Sequence, residues 1–179
     1  MRNQRGFTLI ELLIVVAIIA IIAAVAIPGL LRSRVSANEA ATIGDVRAIL
    51  SAQAAYHATN GGLYDGNLGC LTDPQGCIPS YPAGAPNFLD SNMASLGTKS
   101  GYSRAFSGGP PPSVVPPIVS PTSVTAYKYD ARPVVVGQTG IRGFSGDHSG
   151  RVCSTPDGTA VAAAPAAQGG MDRNCSGIQ

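Results

Sequence analysis

From Phe7 to Ile27 the chain runs for 21 residues that are apolar except for Thr8 and one carboxylate, Glu11. A helix of that length, at ~1.5 Å rise per residue, matches the ~30 Å hydrocarbon core of a bilayer. An ionised acid early in such a stretch is expensive in hydrocarbon, and an anchor by itself has no use for it. The carboxylate therefore calls for a partner. Arg2 and Arg5 in the short leader put the N-terminus in the cytoplasm by the positive-inside rule, so the sequence after Ile27 is exported. A cleavable secretory signal would use the small residues Ala24-Val25-Ala26. Against it, the run exceeds an ordinary apolar signal core, holds an acid and passes into helix-compatible sequence. A plain signal anchor explains the length and leaves Glu11 without a role.

A third reading rests on the residues themselves. Gly6-Phe-Thr-Leu-Ile-Glu11-Leu-Leu-Ile-Val-Val-Ala-Ile-Ile-Ala20 resembles the class III signal of type IV pilins and the related type II secretion pseudopilins. The resemblance is specific over residues 5–28 and moderate to about residue 60. It implies that a prepilin peptidase cuts after Gly6 on the cytoplasmic side and methylates the new N-terminus, Phe7. It also implies that Pro28 stands where the family bends its helix. Ile27-Pro-Gly-Leu-Leu-Arg-Ser-Arg-Val-Ser-Ala-Asn-Glu-Ala40 resembles type IV pilins more than pseudopilins.

Cleavage would create an α-amino group with a reference pKa near 8, a cation at neutral pH. When subunits stack their apolar helices, Glu11 of one can pair with the Phe7 ammonium of a neighbour. Removing one member of a buried pair strands the other charge, so only a stagger that joins them is tolerated. Pairing within one helix, four residues apart on the same face, is the alternative, and the sequence leaves it open.

Beyond Pro28, Leu30, Leu31, Val35, Ile43, Val46, Ile49, Leu50 and Tyr56 recur at three- and four-residue steps, with Arg32, Arg34, Asn38, Glu39, Asp45 and Arg47 between them. This spacing predicts an amphipathic helix with one face on a head and the other wet. Its end is expected at Asn60-Gly61-Gly62, and a kink or local melting at Pro28 and Gly29. The expected organisation is a leader (1–6), a transmembrane or filament-core helix (7–28), an amphipathic helix (29–60) and a globular head (61–179).

The 119 residues from Gly61 onward hold 19 of the 22 glycines and 13 of the 14 prolines, so turns dominate. Residues 107–123, with six prolines, and the Ala/Gly-rich 155–173 read as long loops. Strands are expected at 102–106, 124–130, 134–136, 141–145 and 151–153, the last two joined by a turn at Gly146-Asp-His-Ser-Gly150. The fold class is α+β: a long N-terminal helix on one antiparallel sheet of three or four strands, stapled by disulfides. The four cysteines, Cys70, Cys77, Cys153 and Cys175, all lie in the exported part and allow three connectivities. Pairing of sequence neighbours, Cys70–Cys77 and Cys153–Cys175, is the favoured one. The second bridge loosely resembles the family's C-terminal loop.

Without the leader the chain carries ten basic and ten acidic side chains, which gives nucleic acid no electrostatic attraction. No nucleophile elbow, P-loop or zinc-protease motif is present, and no cofactor or metal is expected. Asp65, Asp73 and Asp147 are loop acids whose spacing matches no calcium-loop pattern. The expected role is a filament subunit that waits in the inner membrane, is processed by peptidase and methyltransferase and passes through an assembly platform into a homo-oligomeric helix. A pseudopilin and a monomeric anchored binding protein with a proline-rich docking loop are the alternatives.

Overall fold

The computed structural model describes residues 6–160 and 176–178. One helix, α1 (Leu9–Thr59), accounts for a third of that length and extends about 76 Å at 1.5 Å per residue. It starts where Thr8, in extended conformation, caps it, and it passes without interruption through Pro28. The local melting expected at Pro28 does not occur. A proline inside a helix loses a single ladder bond, and good helix formers on both sides carry the remaining turns. The helix stops as expected at Asn60, with Gly61 and Gly62 both at positive φ and the Gly62 N–H returning to the His57 carbonyl.

The head is a five-stranded antiparallel sheet in the order β2-β4-β5-β6-β7, comprising β2 (Tyr102–Gly108), β4 (Tyr127–Pro133), β5 (Gly143–Asp147), β6 (Val152–Thr155) and β7 (Ser176–Gly177). A separate two-stranded ladder joins β1 (Tyr64–Asp65) to β3 (Ser123–Val124). The sheet is therefore wider than the three or four strands expected. The stretch read as one strand from 124 to 130 is divided between the two ladders. Residues 134–136 form no strand: the Val134 N–H still donates to Gly101, but the Val135 carbonyl then accepts the N–H groups of Gln138 and Thr139 in a tight loop that turns at Gly137. The β5–β6 hairpin is present, with Gly146 opposite Val152.

The sheet packs its inner face, Tyr129, Ala131, Phe144 and Val152, on Val46, Ile49, Leu50 and Tyr56 of α1. Gly146 marks the closest approach, because a Cβ there would sit 2.7 Å from a Val46 methyl. The helix face expected to pack from Leu30 onward is fully buried by the head only from Glu39, with Val35 and Asn38 partly covered before it. Leu30 and Leu31 remain exposed and Val35 is half-buried. Glu39, expected on the wet face, is buried instead.

Between α1 and β2 lie α2 (Gly69–Thr72), a 3-10 turn (Pro74–Gly76) and α3 (Ser91–Ala94). The Cys70–Cys77 disulfide closes the first of these turns, as the sequence favoured. The Leu71 carbonyl accepts the N–H groups of both Phe88 and Leu89, setting Phe88 edge-on to Tyr56. Cys153 is also disulfide-bonded. Its expected partner, Cys175, lies outside the described residues, as do leader residues 1–5 and most of the loop expected at 155–173.

Candidate functional site

The N-terminal end of α1 carries the residues singled out in the sequence. Gly6, Phe7 and Thr8 precede the helix and are exposed, so the peptide bond after Gly6 lies in non-helical chain that an enzyme can grip. Thr8 and Glu11 form a reciprocal capping box. The Glu11 N–H donates to Thr8 Oγ1 at 3.3 Å, while Glu11 Oε2 accepts from the Thr8 N–H at 2.9 Å and from the Thr8 hydroxyl at 2.6 Å. Two donors that a helix start leaves orphaned are thus satisfied, and the carboxylate faces the positive end of the helix dipole. The sequence reading passed over Thr8 as a partner. The pattern Thr-x-x-Glu before an apolar run was the signal that could have shown it.

From Phe7 to Leu31 nearly every side chain is exposed, and α1 is the one described helix long and apolar enough to cross a membrane. This is the face the fold leaves without a partner. Bare apolar surface on this scale is stable only in lipid or against other apolar helices.

Where α1 reaches the head, Glu39 fastens it. Its Oε1 accepts the N–H groups of Ile141 and Arg142 at 3.0 and 3.1 Å, and its Oε2 accepts from Arg142 Nε and Nη2 at 3.0 and 2.8 Å. Burial pushes the carboxyl pKa up. The Arg142 guanidinium and the two N–H groups outweigh that and hold it below the ordinary value. The preceding residue, Asn38, donates to the Thr139 carbonyl, so the 134–142 loop is tied to the helix at two points.

The other candidates are structural. The Asp65 carboxylate is wholly buried and accepts N–H groups from Asn67 and Cys70; burial pushes its pKa up and the N–H donors only partly offset this. Asp73 caps the 3-10 turn and Asp147 accepts from Ser149, so the three loop acids do not converge. Among the described residues no group of three or more His, Cys, Asp or Glu side chains is placed to hold a metal. His57 and His148 flank Tyr64, at 4.5 and 6.2 Å between ring centres.

A capped acid at the head of a bare apolar rod, carried on a small disulfide-stapled sheet, is the arrangement of the pilin fold. The family described as the prokaryotic N-terminal methylation motif matches residues 1–27, and the N-terminal third of the chain is similar to type IV pilins. Among its relatives is the type IV wide pilus major component PilA4 of Thermus thermophilus, 52% identical over 60 residues, or 34% of this chain and 46% of that protein. Another is the type IV major pilin protein PilA of Myxococcus xanthus, 44% identical over 54 residues, or 30% of this chain and 24% of that protein. The chain spans less than half the length of the curated relatives it matches. No solved structure matches it.

Proposed function

We propose that the chain is a structural subunit of a type IV pilus-like filament. A prepilin peptidase cuts after Gly6 and methylates Phe7. The precursor waits in the inner membrane with its N-terminus cytoplasmic and its head exported, and an assembly platform then moves it into a homo-oligomeric helix. The observation that carries this reading is the bare apolar rod from Phe7 to Leu31, joined to a head that, among the described residues, has a buried core of its own. In the membrane lipid covers the rod; in the filament the same segments of neighbouring copies replace the lipid.

The capping box bears on the path between these states. Before cleavage, Thr8 satisfies the Glu11 carboxylate within the same chain, so the acid can enter the membrane with hydrogen bonds already made. Cleavage adds a cation at Phe7, and a neighbour's amine can then compete for Glu11 and fix the stagger between copies. Pro28 lets the helix adjust where lipid gives way to protein. Both relatives are named as major pilus components, which favours a pilus over a secretion pseudopilus.

Mass spectrometry of the mature chain tests the processing step: the expected N-terminal residue is methylated Phe7. An intact leader, or a start near Ile27, removes the filament reading. Glu11→Val is expected to keep membrane insertion and lose or slow assembly; normal filaments from that variant would overturn the pairing.

A further inference from the structure

We propose that the groove between the start of the amphipathic half of α1 and the 134–142 loop is a docking slot for the apolar helix of a second copy of this chain. The inference rests on the filament reading above and says where on the head the neighbouring rod lies. The groove has a volume of about 780 Å³, and its walls include Leu31 and Val35 from α1 and Gln138 and Ile141 from the loop. Leu31 is 57% exposed and Ile141 52%. The same loop exposes Val134, Val135 and Val136.

Single exposed aliphatic residues are ordinary, but these are not isolated. Ile27, Leu30 and Leu31 join the groove to the bare rod along one unbroken helix, so the apolar surface runs from the membrane segment onto the head. A neighbour that covers the rod at Ile27 and Leu31 and runs on along α1 meets Val35 and Ile141 next. An apolar helix has the ridge of side chains that such a slot accepts. The loop wall is also set before any partner arrives. Glu39 holds the N–H groups of Ile141 and Arg142, and Asn38 holds the Thr139 carbonyl. A wall fixed in advance loses little entropy on docking. Arg32 and Arg34 line the same groove, which makes an anionic lipid headgroup the competing occupant. The apolar walls favour the helix.

The test replaces Gln138, an exposed groove residue, with a photo-cross-linking amino acid in the full chain expressed with its own assembly machinery. Illumination of sheared filaments is expected to give covalent dimers whose cross-linked peptide maps to residues 7–27 of the second copy. The same amino acid at exposed Gln75, on the 3-10 turn, should give no adduct to that segment. Adducts to lipid alone, adducts to a neighbour's head, or filaments without dimers overturn the proposal and leave the filament reading standing. A parent chain that forms no filament removes both. Ile141→Ser is expected to keep Phe7 methylation and the native tyrosine near-ultraviolet signal while lowering shear-resistant filament yield several-fold; unchanged yield also overturns the slot.

Discussion

Replacing Glu39 with alanine should loosen the head from its helix, and the structure sets the size of the effect. The substitution removes two acceptor contacts to backbone N–H groups and two to the Arg142 side chain. Each backbone bond contributes about 1 kcal/mol net. Arg142 is nearly half exposed (45%), so solvent screens its ion pair and that part is discounted to at most about 1 kcal/mol. The expected loss is about 2–3 kcal/mol. With a head between the small and mid-size classes, that corresponds to a fall in Tm of about 6–15 °C.

The assay is thermal melting of the full chain in detergent micelles, followed by near-ultraviolet circular dichroism. The buried rings of Tyr102, Tyr127 and Tyr129 report on the packing of the head, and that of Tyr56 on its contact with the long helix. Arg142→Ala should cost about 1 kcal/mol or less, because it leaves both backbone bonds in place. A loss at Glu39→Ala below about 0.5 kcal/mol, or equal to that of Arg142→Ala, would refute the assignment of the backbone bonds as the main anchor.

The pH dependence carries its own sign. The folded pKa of Glu39 lies below the ordinary value of 4.5, so its contribution is full above that value and is lost as pH falls through the lower folded one. Glu39→Gln should remove that acid-side slope. Asp65 works the other way. Its folded pKa is raised above 3.8, so its contribution is full below 3.8 and fades as pH rises through the folded value.

Removing the Cys70–Cys77 bridge with paired alanine substitutions should cost about 2–3 kcal/mol by the loop-closure relation, read as a lower denaturant midpoint of the same tyrosine signal. Gly146→Ala drives a methyl group into Val46 and Leu50, and overpacking of this kind costs about 1–3 kcal/mol in the same melt. Thr8→Ala deletes the N-cap and should destabilise the first turn of α1 by about 1 kcal/mol. Faster amide exchange at residues 9–12 in micelles, with the rest of the helix unchanged, is the expected readout. Tyr129, whose hydroxyl pKa burial pushes up to about 12, should stay un-ionised in difference spectra up to pH 11 while the head remains folded.

The long helix, its end at Asn60, the Cys70–Cys77 pair and the β5–β6 hairpin were legible in the sequence. Each follows from contacts within a few residues: an unbroken helical pattern, two glycines beyond a cap, a seven-residue cysteine spacing, a glycine-bounded turn. The capping box was equally local and was missed because Glu11 was read only as a charge in search of a cation. Glu39 was misplaced for a different reason. Periodicity assigns a carboxylate to the wet face, and only the fold brings Ile141 and Arg142 across more than a hundred residues to meet it.

Sheet order, the division of 124–130 between two ladders and the groove beside Leu31 depend in the same way on distant segments meeting. The chain's own residues determined that a bare apolar rod with one acid would exist, because hydropathy and helix propensity are properties of neighbours in sequence. Where the head stops covering that rod was decided by tertiary packing, since burial depends on which far segment arrives to share the surface.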